Sequence, residues 1–304
     1  MFVEELPDET TAEVTVSNTE QAVTEILAET LGPAPALITD SNRELIREFL
    51  AGYRLSPTDF SAYKNSPRKF FFERILNLPS EPSPYLVFGN AVHAAMKQAV
   101  LTARSGEVPT WQDVVDIFTD VIRNGRLDEH ETGYLLSTGE KRLRPFFESE
   151  VSGITGSSMV EYSFREHKLK VNDVPLTGKI DRFDYADQSK TSGTVIDYKT
   201  GNPTSLTGKI SIRKRSGDYV DQLKFYQLLL ENSPLKLKVN EAVIKYVDPG
   251  SDGRFVSFRF SFSADEIEAF AQEVQDVYQR ILRLEFDDPG NMKDAWYSDF
   301  PVPI

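Results

Sequence analysis

The chain has 304 residues and no cysteine. That excludes disulfides, a thiolate nucleophile, cysteine zinc sites and cysteine-bound iron–sulfur clusters. No apolar run approaches the roughly 18 residues needed to span a bilayer, so no membrane role is expected. A basic stretch followed by an apolar one, the mark of a secretory signal, is missing from the N-terminus. These absences point to a cytoplasmic protein. Also missing is the phosphate-cradling pattern Gly-x-x-x-x-Gly-Lys-[Ser/Thr], so a nucleotide-driven motor is not expected in this chain. Lys and Arg are absent from residues 1–40, which hold nine acids.

What is present is an ordinary globular composition, 40% hydrophobic and 27% charged, enough to build a core without covalent staples. The net charge of −13 argues at first against a polyanionic partner. Its distribution weakens that objection. Residues 1–40 carry −9 and residues 284–304 carry −4, which leaves the body neutral, and residues 164–215 carry eleven bases against six acids. Such a segment can hold a phosphate backbone through its local field, or it is a scattered solvated surface.

Residues 1–40 read as an acidic linker or tail, with a possible helix over Thr19–Leu31. Order is expected from Ser41, where Ser41-Asn42-Arg43-Glu44 has capping-box spacing. A second helix start follows at Ser56-Pro57, ahead of an aromatic stretch that includes the core candidates Phe70, Phe71 and Phe72. Further helices are expected over 87–104, 111–123 and 129–150. Strands are expected over Met159–Glu166, Val174–Tyr185 and Gly193–Tyr198, the last two joined by the polar turn Asp187–Gly193. A helix over Tyr219–Leu230, two strands near Glu241–Val247 and Phe255–Phe262, and a helix over Ser263–Leu284 complete the order. This predicts one α/β unit: a helical part over 41–155, a mixed sheet with its helix over 156–262, and a C-terminal helix and tail over 263–304.

The period of a strand puts Asp197 and Lys199 on one face near a C-terminal tip, where open α/β sheets bind ligands. If the preceding strand pairs with this one as a hairpin, Asp181 converges with Asp197. Two carboxylates at one point call for a cation between them, and oxygen ligation of this kind suits Mg²⁺ or Mn²⁺. Lys199 beside such an ion would orient water or neutralise a phosphoryl oxyanion. Asp-x-Lys alone is a weak signal, because exposed strands often carry such pairs.

Five elements in order strengthen it: Leu55-Ser56-Pro57-Thr58-Asp59-Phe60 with Ser66-Pro67-Arg68-Lys69-Phe70, Phe88-Gly89-Asn90-Ala91-Val92-His93, Gly178-Lys179-Ile180-Asp181-Arg182, Val195-Ile196-Asp197-Tyr198-Lys199-Thr200-Gly201, and Gln222-Leu223-Lys224-Phe225-Tyr226. With them the chain, from about Leu55 to its end, resembles a RecB-type nuclease of the PD-(D/E)XK superfamily. More narrowly it resembles the C-terminal nuclease domain of bacterial UvrD-like helicases and its AddB and CRISPR-associated relatives. The resemblance implies a restriction-endonuclease-like core and a metal-dependent deoxyribonuclease. His93, Asp181, Asp197 and the carbonyl of Tyr198 would ligate the metal, Lys199 would serve the attacking water or scissile phosphate, and Gln222 and Tyr226 would line the DNA path. Glu161 matches a weaker family position and is not assigned as a ligand.

Each residue has a plainer reading. His93 taken alone is a buried structural histidine. Gln222 and Tyr226 could be a helix face against the sheet. Arg213-Lys214-Arg215, expected in a long loop after the catalytic strand, either contacts phosphates or is a solvated cluster. His130 and His167 are expected at the surface. Many relatives hold a four-cysteine iron–sulfur cluster that pins the chain's end to its beginning. Here Ser66, Ala295, Ser298 and Ile304 stand in the surroundings of that pattern, and packing of Trp296, Tyr297 and Phe300 on the N-terminal helices would replace the pin. The expectation is a DNA nuclease acting on single strands or ends beside a helicase motor in cis or trans. The alternatives are a DNA-binding or docking module that no longer cuts, and a nuclease directed at RNA.

Overall fold

The computed structural model describes residues 40–78, 83–201, 203, 209–250 and 252–288, with 40–42 and 209–217 described by their backbone alone. The N-terminal half is helical: α1 (Asp40–Ala51), α2 (Pro57–Asn65), α3 (Pro67–Phe70) running into a π-helical turn at Phe71–Ile75, α4 (Pro84–Arg104), α5 (Trp111–Arg123) and α6 (Glu129–Glu150). The starts follow from local chemistry. Ser56 and Ser66 accept hydrogen bonds from the amides of Asp59 and Lys69, with proline at the head of α2 and α3. Thr110 and Asp128 form reciprocal capping boxes at α5 and α6. At α1 the expectation fails in detail, because the helix already begins at Asp40 and Ser41 lies inside it. The possible helix over Thr19–Leu31 and the packing of Trp296, Tyr297 and Phe300 fall outside the described residues.

The second half builds a five-stranded sheet from β1 (Met159–Ser163), β4 (Lys179–Tyr185), β5 (Ser192–Lys199), β6 (Lys238–Pro249) and β7 (Phe255–Phe260), in the order β1-β4-β5-β6-β7. β5 and β6 run parallel and the other pairs antiparallel. The crossover between the parallel strands is α7 (Lys209–Asn232), and α8 (Ala264–Leu282), capped by Ser263, follows the sheet.

Three expected strands are shorter than the sequence suggested, the last of them ending at Phe260 instead of Phe262. The segment Val174–Tyr185 divides into β3 (Val174–Pro175) and β4, because the backbone of Pro175 and Thr177 bonds to Leu55 instead of continuing along the sheet. β3 pairs with β2 (Lys170–Val171) as a small separate hairpin. Met159–Glu166 ends at Ser163, where a 3-10 turn over Arg165–His167 and a left-handed Lys168 (φ 43°) turn the chain away.

Both sheet faces are covered. On one, Phe60, Phe70, Phe71, Leu223, Phe225 and Phe270 from α2, α3 with its π-helical turn, α7 and α8 pack against Phe183, Val195 and Ile244. On the other, Phe88, Val92, Phe118 and Phe146 from α4, α5 and α6 pack against Ile196, Tyr198 and Val243. Val195/Ile196 and Val243/Ile244 thus alternate between the two cores with the strand period. Phe286, fully buried, stacks on Phe70 and packs at a tilt on Phe71, and Arg68 donates to the carbonyls of Asp287 and Asp288. This is the expected architecture: a mixed sheet between helical layers with a helical N-terminal half, consistent with a restriction-endonuclease-like fold.

Candidate active site

Alternation along β5 sends Tyr198 into the core under α4–α6 and turns Asp197 and Lys199 toward α7. There α7 meets them with Gln222 and Tyr226, one turn apart. The four side chains close a ring. Lys199 Nζ donates to Gln222 Oε1 (2.7 Å), Gln222 Nε2 donates to the Tyr226 hydroxyl (2.5 Å), and that hydroxyl donates to Asp197 Oδ1 (3.2 Å). Lys199 Nζ closes the ring as an ion pair 2.7 Å from Asp197 Oδ2. Apart from that ion pair, Oδ2 is a buried acceptor without a hydrogen-bond donor.

The other half of the site comes from an irregularity in β1 and β4. Their register is constant on either side of Glu161 and Asp181, with Val160 opposite Arg182 and Tyr162 opposite Ile180. Alternation nonetheless breaks at this pair. Val160 packs on the α4–α6 core while Tyr162, two residues on, packs on the opposite one. Glu161 itself has a left-handed backbone, φ 50°, a conformation that strains a non-glycine residue and recurs at functional sites. The break also releases Asp181 from the ladder. The pairing of β4 with β5 stops at Arg182 opposite Ile196, and Asp181 Oδ2 accepts the Tyr198 amide (3.0 Å) in place of a main-chain carbonyl.

Into this opening α4 delivers His93, with Nδ1 3.3 Å from Asp181 Oδ1 and 3.8 Å from Glu161 Oε1. Lys179 pairs with the other oxygen of Glu161. Beneath, the buried Arg182 ties Asp184 Oδ1 (2.6 Å), the Tyr198 hydroxyl (3.2 Å) and the carbonyl of Gly153 (2.8 Å) together. The cleft above measures about 830 Å³ and is lined by His93, Glu161, Asp181, Gln222 and Tyr226, with Lys97, Arg165 and Lys179 around it. A larger hollow of about 1250 Å³, between α7 and α8, holds none of these groups.

The electrostatics follow from placing acids in a poorly solvated site. Burial works against a charged His93, but the carboxylates of Asp181 and Glu161 outweigh it and raise its pKa to about 10. Burial pushes Asp197 up as well, against the pull of Lys199. Lys199 is raised: burial opposes its charge, and Asp197 more than compensates. In the free chain a proton on His93 therefore balances carboxylates that a cation could balance instead, and ligation requires that proton to leave. One ligand atom each from His93, Glu161 and Asp181 lie within 4.8 Å of one another. This mixed imidazole and carboxylate set, close to the Asp197 carboxylate whose Oδ2 holds only the ion pair with Lys199, fits a divalent cation.

The structure thus brings together His93, Asp181, Asp197, Lys199, Gln222 and Tyr226, with Tyr198 of β5 bonded to Asp181 and Arg182 of β4. It corrects one placement: Arg213, Lys214 and Arg215 belong to α7, which begins at Lys209, and not to a loop. Their side chains fall outside the described residues. His130 is exposed, whereas His167 is half-buried and hydrogen-bonded to the Tyr162 hydroxyl (2.7 Å). Glu161, left out on sequence grounds, stands in the donor set. The signal that could have found it is its position opposite Asp181, which becomes legible only once the β1–β4 register is known.

No curated protein matches the sequence. Among solved structures, the chain is similar to a candidate exonuclease from Eubacterium rectale at 12% identity and TM-score 0.46, covering 86% of this chain and 90% of that one. It is also similar to a phage-related exonuclease from Haemophilus somnus 129PT at 10% identity and TM-score 0.27, covering 63% and 94%. The sequence model of one family matches residues 54–293, from the end of α1 to beyond α8, and so spans every element that forms the cleft. The chain belongs to the PD-(D/E)XK nuclease superfamily.

Proposed function

We propose that this chain hydrolyses phosphodiester bonds of DNA with a divalent metal, Mg²⁺ or Mn²⁺. The observation that carries the reading is that His93, Glu161 and Asp181 gather donor atoms in one cleft, with the Asp197–Lys199 ion pair bonded to the Gln222 and Tyr226 that line it. His93, Asp181, Asp197 and the carbonyl of Tyr198 would hold the ion, with Glu161 in reach of the same position. A bound ion supplies Lewis-acid stabilisation of the charge that develops on phosphoryl oxygens.

The chain's own groups do the rest. Lys199, held by Gln222 and Asp197, presents its ammonium to the scissile phosphate and neutralises charge there. Gln222 and Tyr226 fix that ammonium and keep Asp197 oriented. Lys97, Arg165 and Lys179 receive the phosphate backbone through sequence-independent contacts, and we assign Arg213, Lys214 and Arg215 of α7 to phosphate contact as well. The substrate we favour is a single strand or a DNA end, processed in repair or recombination beside a helicase motor in the cytoplasm. Residues 1–40 would be an acidic linker ahead of the nuclease unit.

The test is cleavage of end-labelled single- and double-stranded DNA with Mg²⁺, Mn²⁺ or EDTA, with Lys199→Ala alongside. Metal-dependent cleavage that disappears in the variant supports the reading, and its product ladder gives polarity. DNA binding without cleavage under either metal overturns it in favour of a silent binding module.

A further inference from the structure

We propose that Tyr219 is a positioning residue for Lys199, fixing the direction in which its ammonium faces the substrate. The proposal rests on the reading of Lys199 given above. Lys199 Nζ lies 4.6 Å from the centre of the Tyr219 ring, inside the range in which an ammonium is attracted to an aromatic face. Asp197 Oδ2 and Gln222 Oε1 lie 2.7 Å from the same nitrogen.

An ammonium has three donors and sits on a flexible four-carbon stem. Two oxygens alone leave it free to pivot about the line joining them. A ring on a further side removes that freedom and leaves one donor for a phosphate oxygen. The placement is written into α7: Tyr219, Gln222 and Tyr226 fall at i, i+3 and i+7, one stripe of the helix, and all three serve Lys199 or its partner Asp197. The contact is also sheltered. Lys199 is 17% exposed and Tyr219 half-buried, and a cation–π contact strengthens as water is removed.

Tyr219 also packs against the core beside α7, so the test must separate steering from packing. The full chain carrying Tyr219→Phe keeps the ring, whereas Tyr219→Leu keeps apolar bulk and loses it. On a labelled single-stranded oligonucleotide with Mn²⁺, we expect Tyr219→Leu to lower kcat about tenfold with KM within about twofold. Tyr219→Phe should stay within about twofold on both. A Leu variant with unchanged kcat overturns the proposal. So does a Phe variant as impaired as Leu, which would assign the role to the hydroxyl.

A second measurement needs neither activity nor metal, and so separates this proposal from the nuclease reading. In the chain labelled with ¹³C-lysine, the ε-methylene of Lys199, assigned with Lys199→Met, should be shifted upfield by the ring current. The shift should persist in Tyr219→Phe and vanish in Tyr219→Leu. An unshifted Lys199 ε-methylene in the wild type overturns the proposal even if DNA is cut. A shifted one in a chain that cuts nothing upholds the contact while the function assigned to Lys199 fails.

Discussion

β5 and β4 lie side by side in one sheet and supply the two halves of one site by opposite means. β5 is regular where it matters: Val195, Ile196, Asp197, Tyr198 and Lys199 alternate between the two faces, and the functional pair lands under α7 by period alone. β4 departs from the period at Asp181, together with Glu161 of β1, and the departure itself aims both carboxylates at His93. A regular strand can carry an acid and a base on one face. To gather a third and fourth ligand from neighbouring strands, the ladder has to give way locally.

Substitutions should separate the two strands. The largest effect is expected on β5, where Asp197→Asn or Lys199→Ala should reduce DNA cleavage about 10³-fold or more at saturating metal, read as kcat on labelled DNA. Cleavage surviving in Lys199→Ala would remove that residue from the chemistry. On β4, Arg182→Met should act on stability first. It leaves the buried Tyr198 hydroxyl and the carbonyl of Gly153 without their donor, while the part-exposed Asp184 keeps its bond from Ser158, at a cost of about 2 kcal/mol in urea unfolding. A stability loss below about 1 kcal/mol would show that the strands hold their geometry without this tie.

A comparable effect is expected at the hairpin that joins the strands. A Cβ on Gly193 would lie 2.1 Å from the carbonyl oxygen of Asp184, so Gly193→Ala must move main chain and should cost about 2 kcal/mol. At the other end of β5, Gly201→Ala meets nothing within 4 Å and should stay within about 0.5 kcal/mol. Equal losses in thermal melts of the two variants would contradict the packing described at the turn. The smallest effect is expected at Glu161. Glu161→Gly relieves a left-handed residue and should raise stability by about 0.5 kcal/mol, while calorimetry shows weaker Mn²⁺ binding. Glu161→Ala, which keeps the strain, should weaken binding without the gain.

The same contrast explains what was legible in the sequence. Helix boundaries over 111–123 and 129–150 could be read because Thr110 and Asp128 announce them with caps. The hairpin, the order of elements and the face shared by Asp197 and Lys199 follow from strand period and turn chemistry, which are local. Gln222 and Tyr226 follow from helical spacing, although the resemblance, not the spacing, marked them for attention. Glu161 matched only a weaker family position and went unassigned, because its placement depends on register with a strand 20 residues away and on a backbone conformation that Glu does not announce. The placement of Arg213, Lys214 and Arg215 in a loop failed for a related reason. Ser211, Ser216 and Gly217 dilute the helical pattern, and helix α7 extends through them to Lys209.

The bond between Asp181 Oδ2 and the Tyr198 amide gives the site a reporter built into its frame. Most strand amides answer to a neighbouring main chain and are silent about chemistry. This one answers to a carboxylate of the donor set, so any change in the charge that carboxylate feels is transmitted to a single proton in the middle of the sheet. Its chemical shift and its rate of exchange with solvent would register the arrival of a cation, or the loss of one, while neighbouring amides hold still.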